Sequence, residues 1–96
     1  MNREKLSDAE IAARLARLPG WSVKGGALHR RFEFKDFVQA WGFMSSCALA
    51  AEKLDHHPDW SNGWNKVDVN LVTHSAGGIT EFDFALAGKM QEIAGR

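Results

Sequence analysis

The stretch "DFVQAWGFMSSCALAAEKLD", Asp36 to Asp55, constrains the fold more than any other part of the chain. Phe37, Trp41, Met44, Ala48 and Ala51 recur at helical spacing. Phe43, Cys47, Ala50 and Leu54 form a second apolar stripe beside the first. A helix that is apolar over so wide an arc is buried on more than one side. Its partners are the other layers of its own domain or another subunit. Pro58 ends the helical run, because proline disfavours helical backbone at the preceding residue, here His57.

The rest of the chain alternates around this helix. Ser7 with Glu10 three residues on is a capping-box pattern, and Ile11, Leu15 and Leu18 follow at helical spacing until Pro19-Gly20. "WSVK" reads as a short strand, Gly25-Gly26 as a two-residue hairpin turn and "ALHRRFEF" as the partner strand. In that strand Leu28, Arg30, Phe32 and Phe34 share the face to be buried, and His29 falls on the solvated one. After Pro58 a short strand is expected near Trp60 and a longer one from about Trp64 to Thr73, with "SNG" as the turn between them. "HSAGG" is a loop; Thr80 is a second N-cap with Asp83 three residues on, and Phe82, Leu86, Met90 and Ile93 line the last helix. The order α-β-β-α-β-β-α with tight turns implies an α+β fold: a two-layer domain with a four-stranded antiparallel sheet and three helices on one face.

Bulk properties narrow the function classes. At 96 residues a single domain, 1–96, is expected. The 12 basic and 12 acidic residues cancel, which argues against a nucleic-acid partner, since phosphate neutralisation needs a basic excess. There is no basic membrane-binding face and no apolar run of membrane length, so no membrane partner is expected. Cys47 is the single cysteine and sits in the apolar stretch, which suits a core residue and a reducing compartment. The charged N-terminus lacks a signal-peptide pattern, and a cytoplasmic location is the expectation.

Candidate chemistry gathers at "LDHHPDW", Leu54 to Trp60, which holds half of the four histidines. Glu52 and His56 are four apart on the expected helix, so the carboxylate is placed to hold the imidazole and set its tautomer. His57 lies just past the helix, free to point elsewhere. His74 ends the long strand, and Asp83 opens the last helix. Strand and helix ends of this kind can converge at one sheet edge. Each element also has a plain structural explanation: a surface helix pair, a loop histidine, a helix cap. Three histidines and two carboxylates are zinc-type ligands as well, although adjacent histidines chelate awkwardly and no cysteine pair assists.

The spacing of the whole set is more specific than its parts. Glu52, His56-His57-Pro58, Trp64, His74 and Asp83, with "AEKLDHHPDWSNGWNKVDVNLVTH" and "FVQAWGFMSSCALAAEKL" around them, resemble the signature of the pterin-4a-carbinolamine dehydratase family. The likeness runs from about Leu6 to the end. It implies a four-stranded antiparallel sheet with three helices on one face. It implies a lyase that dehydrates 4a-hydroxytetrahydropterin to quinonoid dihydropterin plus water, in tetrahydrobiopterin biosynthesis and recycling. Carried over by position, it implies His56, His57 and His74 as catalytic residues, assisted by Glu52 and Asp83, with no metal and no organic cofactor. On that basis His56 and His74 are expected as the acid–base pair, with Glu52 holding His56 and Asp83 orienting a neighbouring group. His57 would bind the pterin. Backbone near Asp55 and through Val72, Thr73, His74 and Ser75 would bind the pterin edges, and Trp60 would either wall the site or pack in the core. Family members form dimers or tetramers, so a homodimer or homotetramer is implied. The alternative carried by the same resemblance is a non-catalytic binding or regulatory module, a dimerisation cofactor or transcriptional coactivator.

Overall fold

The computed structural model describes residues 1–95. Helix α1 spans Asp8–Leu15, strands β1 and β2 span Ser22–Lys24 and Ala27–Glu33, and helix α2 spans Phe37–Leu54. Strands β3 and β4, Asp59–Gly63 and Lys66–Leu71, lead through one short helical turn at His74–Ala76, η1, into helix α3, Glu81–Ala94. The sheet is antiparallel throughout, with strand order β1-β2-β4-β3. The two-layer α+β arrangement is the one read from the sequence.

Local chemistry sets the element ends. Ser7 and Glu10 form the expected capping box on α1, and Thr80 and Asp83 form another on α3. Gly25 and Gly26 both have positive φ, 59° and 79°, the backbone a two-residue hairpin turn demands. The second hairpin departs from expectation. "SNG" lies inside β3, with Asn62 opposite Val67, and the turn is Trp64-Asn65. Asn62 closes it by donating to the carbonyls of Trp64 and Lys66, and Asn65 ties it to the residue after β2 by donating to Phe34 O. Side-chain hydrogen bonds, rather than turn composition, decide the register here.

The pairing of β2 with β4 aligns Leu28 with Leu71 and Phe32 with Val67. These four are at most 1% exposed and form the floor of the core with Val69. Leu86 and Met90 of α3 and Phe43, Cys47 and Ala51 of α2 close it from above. Fully burying side chains of this size is worth roughly 1.5–3 kcal/mol each. Burial pushes the Cys47 thiol up to about 12, so it packs as a small apolar group. Helix α2 buries less of its surface than its composition predicts. Ala40, Phe43, Cys47 and Ala51 face the core, whereas Phe37, Trp41 and Ala48 are exposed, together with Val38 and Leu49. The opposite sheet face is polar, and there His29 donates to Asp68 at 2.8 Å. Among the described residues no helix is long and apolar enough to cross a membrane.

Candidate active site

The site begins where α2 ends. Asp55 takes left-handed backbone, φ 53° and ψ 44°. Its N–H donates to Glu52 O, and the N–H of His56 donates to Ala51 O, both at 3.1 Å. This is the Schellman closure usually built on glycine. It takes His56 out of the helix and turns it inward, so His56 is buried while His57 is exposed. The expectation that Glu52 holds His56 assumed a helix continuing through Asp55 to His56, and it is corrected here. Glu52 Oε1 accepts from His57 Nε2 at 2.8 Å. His56 Nε2–H donates instead to Asp83 Oδ1 at 2.5 Å.

Asp83 has no exposed surface. Its second oxygen, Oδ2, accepts the Thr73 hydroxyl and the Thr80 N–H, each at 2.9 Å. The hydrogen directions follow from counting. The Thr73 hydroxyl has one proton and gives it to Asp83, so in the 2.7 Å contact between the two threonines Thr80 must be the donor. The Thr80 oxygen in turn accepts from Phe82 N at 3.2 Å. Every donor around the carboxylate is aimed at it, so the carboxylate serves only as an acceptor. His56 must therefore carry its proton on Nε2, and Nδ1 is the nitrogen left for chemistry.

His74 opens η1 at the end of β4, where Thr73 and Gly78 close a small loop by mutual backbone hydrogen bonds. Its Nε2 lies 3.0 Å from Asp59 Oδ2 on β3. All three motif histidines thus follow one rule: Nε2 on a carboxylate, with no protein group on Nδ1 among the described residues. They differ in shielding. The His56–Asp83 side chains are 8% and 0% exposed, those of His57–Glu52 59% and 79%, and those of His74–Asp59 79% and 62%. Only the first pair is held away from solvent, where charge–charge coupling is strongest.

These groups line one cleft of about 340 Å³. Asp55, His56, His57, Pro58 and Asp59 form one wall, and Val72, Thr73, His74 and Ser75 form the other. Arg3 reaches in from the N-terminal arm. Glu52 and Asp83 stand behind the lining histidines rather than in it. Trp60 does neither: it turns inward opposite Val69 and packs against the core. Sequence reasoning missed the roles of Asp59, Arg3 and the Thr73 hydroxyl. Asp59 flanks the histidine pair in the motif and was readable as a partner; Arg3 has no signal in its own neighbourhood. Among the described residues no group of three or more His, Cys, Asp or Glu side chains is placed to hold a metal ion.

Known proteins share this arrangement of chain and fold. A relative from Sinorhizobium medicae (strain WSM419), named "Putative pterin-4-alpha-carbinolamine dehydratase", is 53% identical over 98% of this chain and 91% of its own. One of the same name from Chelativorans sp. (strain BNC1) is 52% identical over all of both chains. The crystal structure of a transcriptional coactivator/pterin dehydratase from Brucella melitensis superposes with a TM-score of 0.92 at 52% identity, covering 95% of this chain and 99% of that one. A pterin dehydratase-like protein identified as a RuBisCO assembly factor in the alpha-carboxysome gives a TM-score of 0.64 at 26% identity, covering 78% and 87%. The family model described as pterin 4 alpha carbinolamine dehydratase matches residues 4–93. With nearly the whole length matched and the motif histidines gathered on one cleft, the chain belongs to the pterin 4 alpha carbinolamine dehydratase family.

Proposed function

We propose that this protein dehydrates 4a-hydroxytetrahydropterin to quinonoid dihydropterin and water, as a cytoplasmic step of tetrahydropterin recycling. One observation carries this reading: three imidazoles border a single cleft, each with Nε2 held by its own carboxylate and Nδ1 unclaimed. The reaction needs an acid at one atom and a base at another, both working near neutral pH, which is the range of histidine.

In the proposed reaction the N5 lone pair forms the C4a–N5 double bond as the C4a–O bond breaks. His74, as imidazolium, protonates the departing hydroxyl, which leaves as water. His56 takes the N5 proton at Nδ1, and the buried Asp83 carboxylate stabilises the imidazolium so formed. Exchange with solvent returns both histidines to their starting states. His57 orients the pterin from the rim. The backbone at Asp55 and from Val72 to Ser75 takes the donors of the flat ring. Positioned acid–base groups of this kind contribute typically about 10²–10⁴-fold. The test is the decay of 4a-carbinolamine absorbance with wild type, His56→Ala and His74→Ala. Acceleration by wild type and its loss in both variants is expected; near-normal rates in both variants would sink the assignment.

A second reading rests on the exposed apolar stripe of α2, Phe37, Val38, Trp41 and Leu49, and on relatives described as a coactivator and an assembly factor. In it the protein is a binding or regulatory module. Both readings share self-association through this stripe as a homodimer or homotetramer. A wild-type protein that leaves carbinolamine decay at the buffer rate favours the module.

A further inference from the structure

We propose that Arg3 is a substrate-positioning residue of the cleft, donating to the carbonyl oxygen O4 of the pyrimidinone ring and selecting 4-oxo over 4-amino pterins. The inference rests on the pterin reading of the site given above. The N-terminal arm is anchored on both sides of Arg3: Asn2 N donates to Glu81 Oε2 at 3.3 Å, and Leu6 N donates to Ile79 O at 2.9 Å. Between these anchors the Arg3 guanidinium lies 4.0 Å over the Phe82 ring, whose centroid is 5.8 Å from that of His56. One N–H is given to Asp55 O at 2.8 Å, the carbonyl of the residue that turns His56 inward. Stacking and this one bond set the plane of the fork, and its other N–H groups have no partner among the described residues.

Charge and donor count single out this side chain. Arg3 is the one permanent cation lining the cleft, among carboxylates at Asp55 and Asp59 and three imidazoles, of which the proposed reaction changes the protonation of His56 and His74. A pterin presents donors at N3 and the 2-amino group, which carboxylates and backbone carbonyls can accept. Its O4 is an acceptor and requires a donor that stays protonated. Replacing O4 with an amino group sets donor against donor. A site built to hydrogen-bond one group rejects the analogue lacking it far more strongly than apolar packing does.

The experiment measures binding of two stable probes, 7,8-dihydropterin and 2,4-diamino-7,8-dihydropteridine, by fluorescence, alongside carbinolamine turnover. Wild type is expected to favour the 4-oxo probe by roughly tenfold or more. Arg3→Ala should bring the preference to within about twofold and raise KM more than it lowers kcat. Arg3→Lys, which keeps the charge without the fork, should retain part of the preference. An unchanged ratio in Arg3→Ala overturns the proposal, as does a wild type that binds both probes equally or neither. A loss of kcat with the ratio intact assigns Arg3 to holding the Asp55 turn, and again overturns it. Turnover separates the two readings. Wild type that discriminates between the probes without turnover removes the dehydratase assignment and leaves Arg3 standing. Wild type that turns over while the variant keeps its ratio and KM removes Arg3 alone.

Discussion

Three imidazole–carboxylate pairs of the same geometry are not equal in strength, because their exposure differs. Water screens the pairs of His57 and His74, and exposed ion pairs are worth little. The pair of His56 is enclosed, and its carboxylate is held by two further donors. Asp83→Asn should therefore lower kcat by about 10–100-fold, since an amide can present its NH₂ to His56 and reverse the tautomer. Glu52→Gln and Asp59→Asn should each change kcat less than about threefold. Steady-state dehydratase kinetics of the three variants check the order; equal losses would show that burial does not rank the pairs. The importance of Asp83 was only half legible in sequence. Its capping role follows from the Thr80 spacing, but its contact with His56 spans 27 positions, and only the packing of α3 against the end of α2 creates it.

At the scale of elements, the left-handed turn at Asp55 decides which histidine faces inward. Aspartate tolerates this backbone at a cost that glycine does not bear, and a β-branched residue suffers most. Asp55→Gly should raise stability by about 0.5 kcal/mol and Asp55→Val lower it by about 1–2 kcal/mol, read from urea unfolding midpoints. A glycine at 55 announces such a turn in a sequence; aspartate conceals it, and so the expected helix runs past Leu54 to His56. A second element-scale effect lies across β2 and β4. The hydrogen bond from His29 holds the Asp68 carboxyl below its ordinary value of 3.8. A depressed carboxyl contributes stability above the unfolded-state value and loses it as pH falls through the folded one. The destabilisation caused by Asp68→Asn should thus be largest near about pH 6 and shrink below about pH 3, measured by urea midpoints at both. A difference that grows on acidification would contradict the pairing.

At the scale of the molecule, α2 leaves an apolar face exposed. Phe37 and Trp41 have ring centroids 6.3 Å apart and are 50% and 57% exposed, next to Val38 at 77%. Apolar side chains clustered in this way mark interaction surfaces. Light scattering should give a mass that is a multiple of the 10.7 kDa chain, and Trp41→Glu should move it toward one chain. A wild-type protein of single-chain mass would refute self-association. The wide apolar arc of the sequence was read as burial on more than one side. Inside the chain it is buried on one, because the sheet has a single helical layer and no second layer to receive the remainder.

Local periodicity and capping chemistry were enough for the element order and the two-layer α+β fold, while the membership of His56, His57, His74, Glu52 and Asp83 in one motif came from the resemblance of their spacing to a family signature. Periodicity and caps depend on residues a few positions apart, and the sequence displays them directly. The pairing of carboxylates with histidines, the inward turn of His56, the packing of a half-buried Trp60 against the core, the true hairpin at Trp64-Asn65 and the arrival of Arg3 at the cleft all needed the tertiary structure. Each depends on contacts between distant segments or on one backbone angle that residue type permits without requiring. The sequence by itself determined which titratable groups the chain carries; the fold decided which nitrogen of each motif imidazole meets a carboxylate and which is left without a protein partner among the described residues.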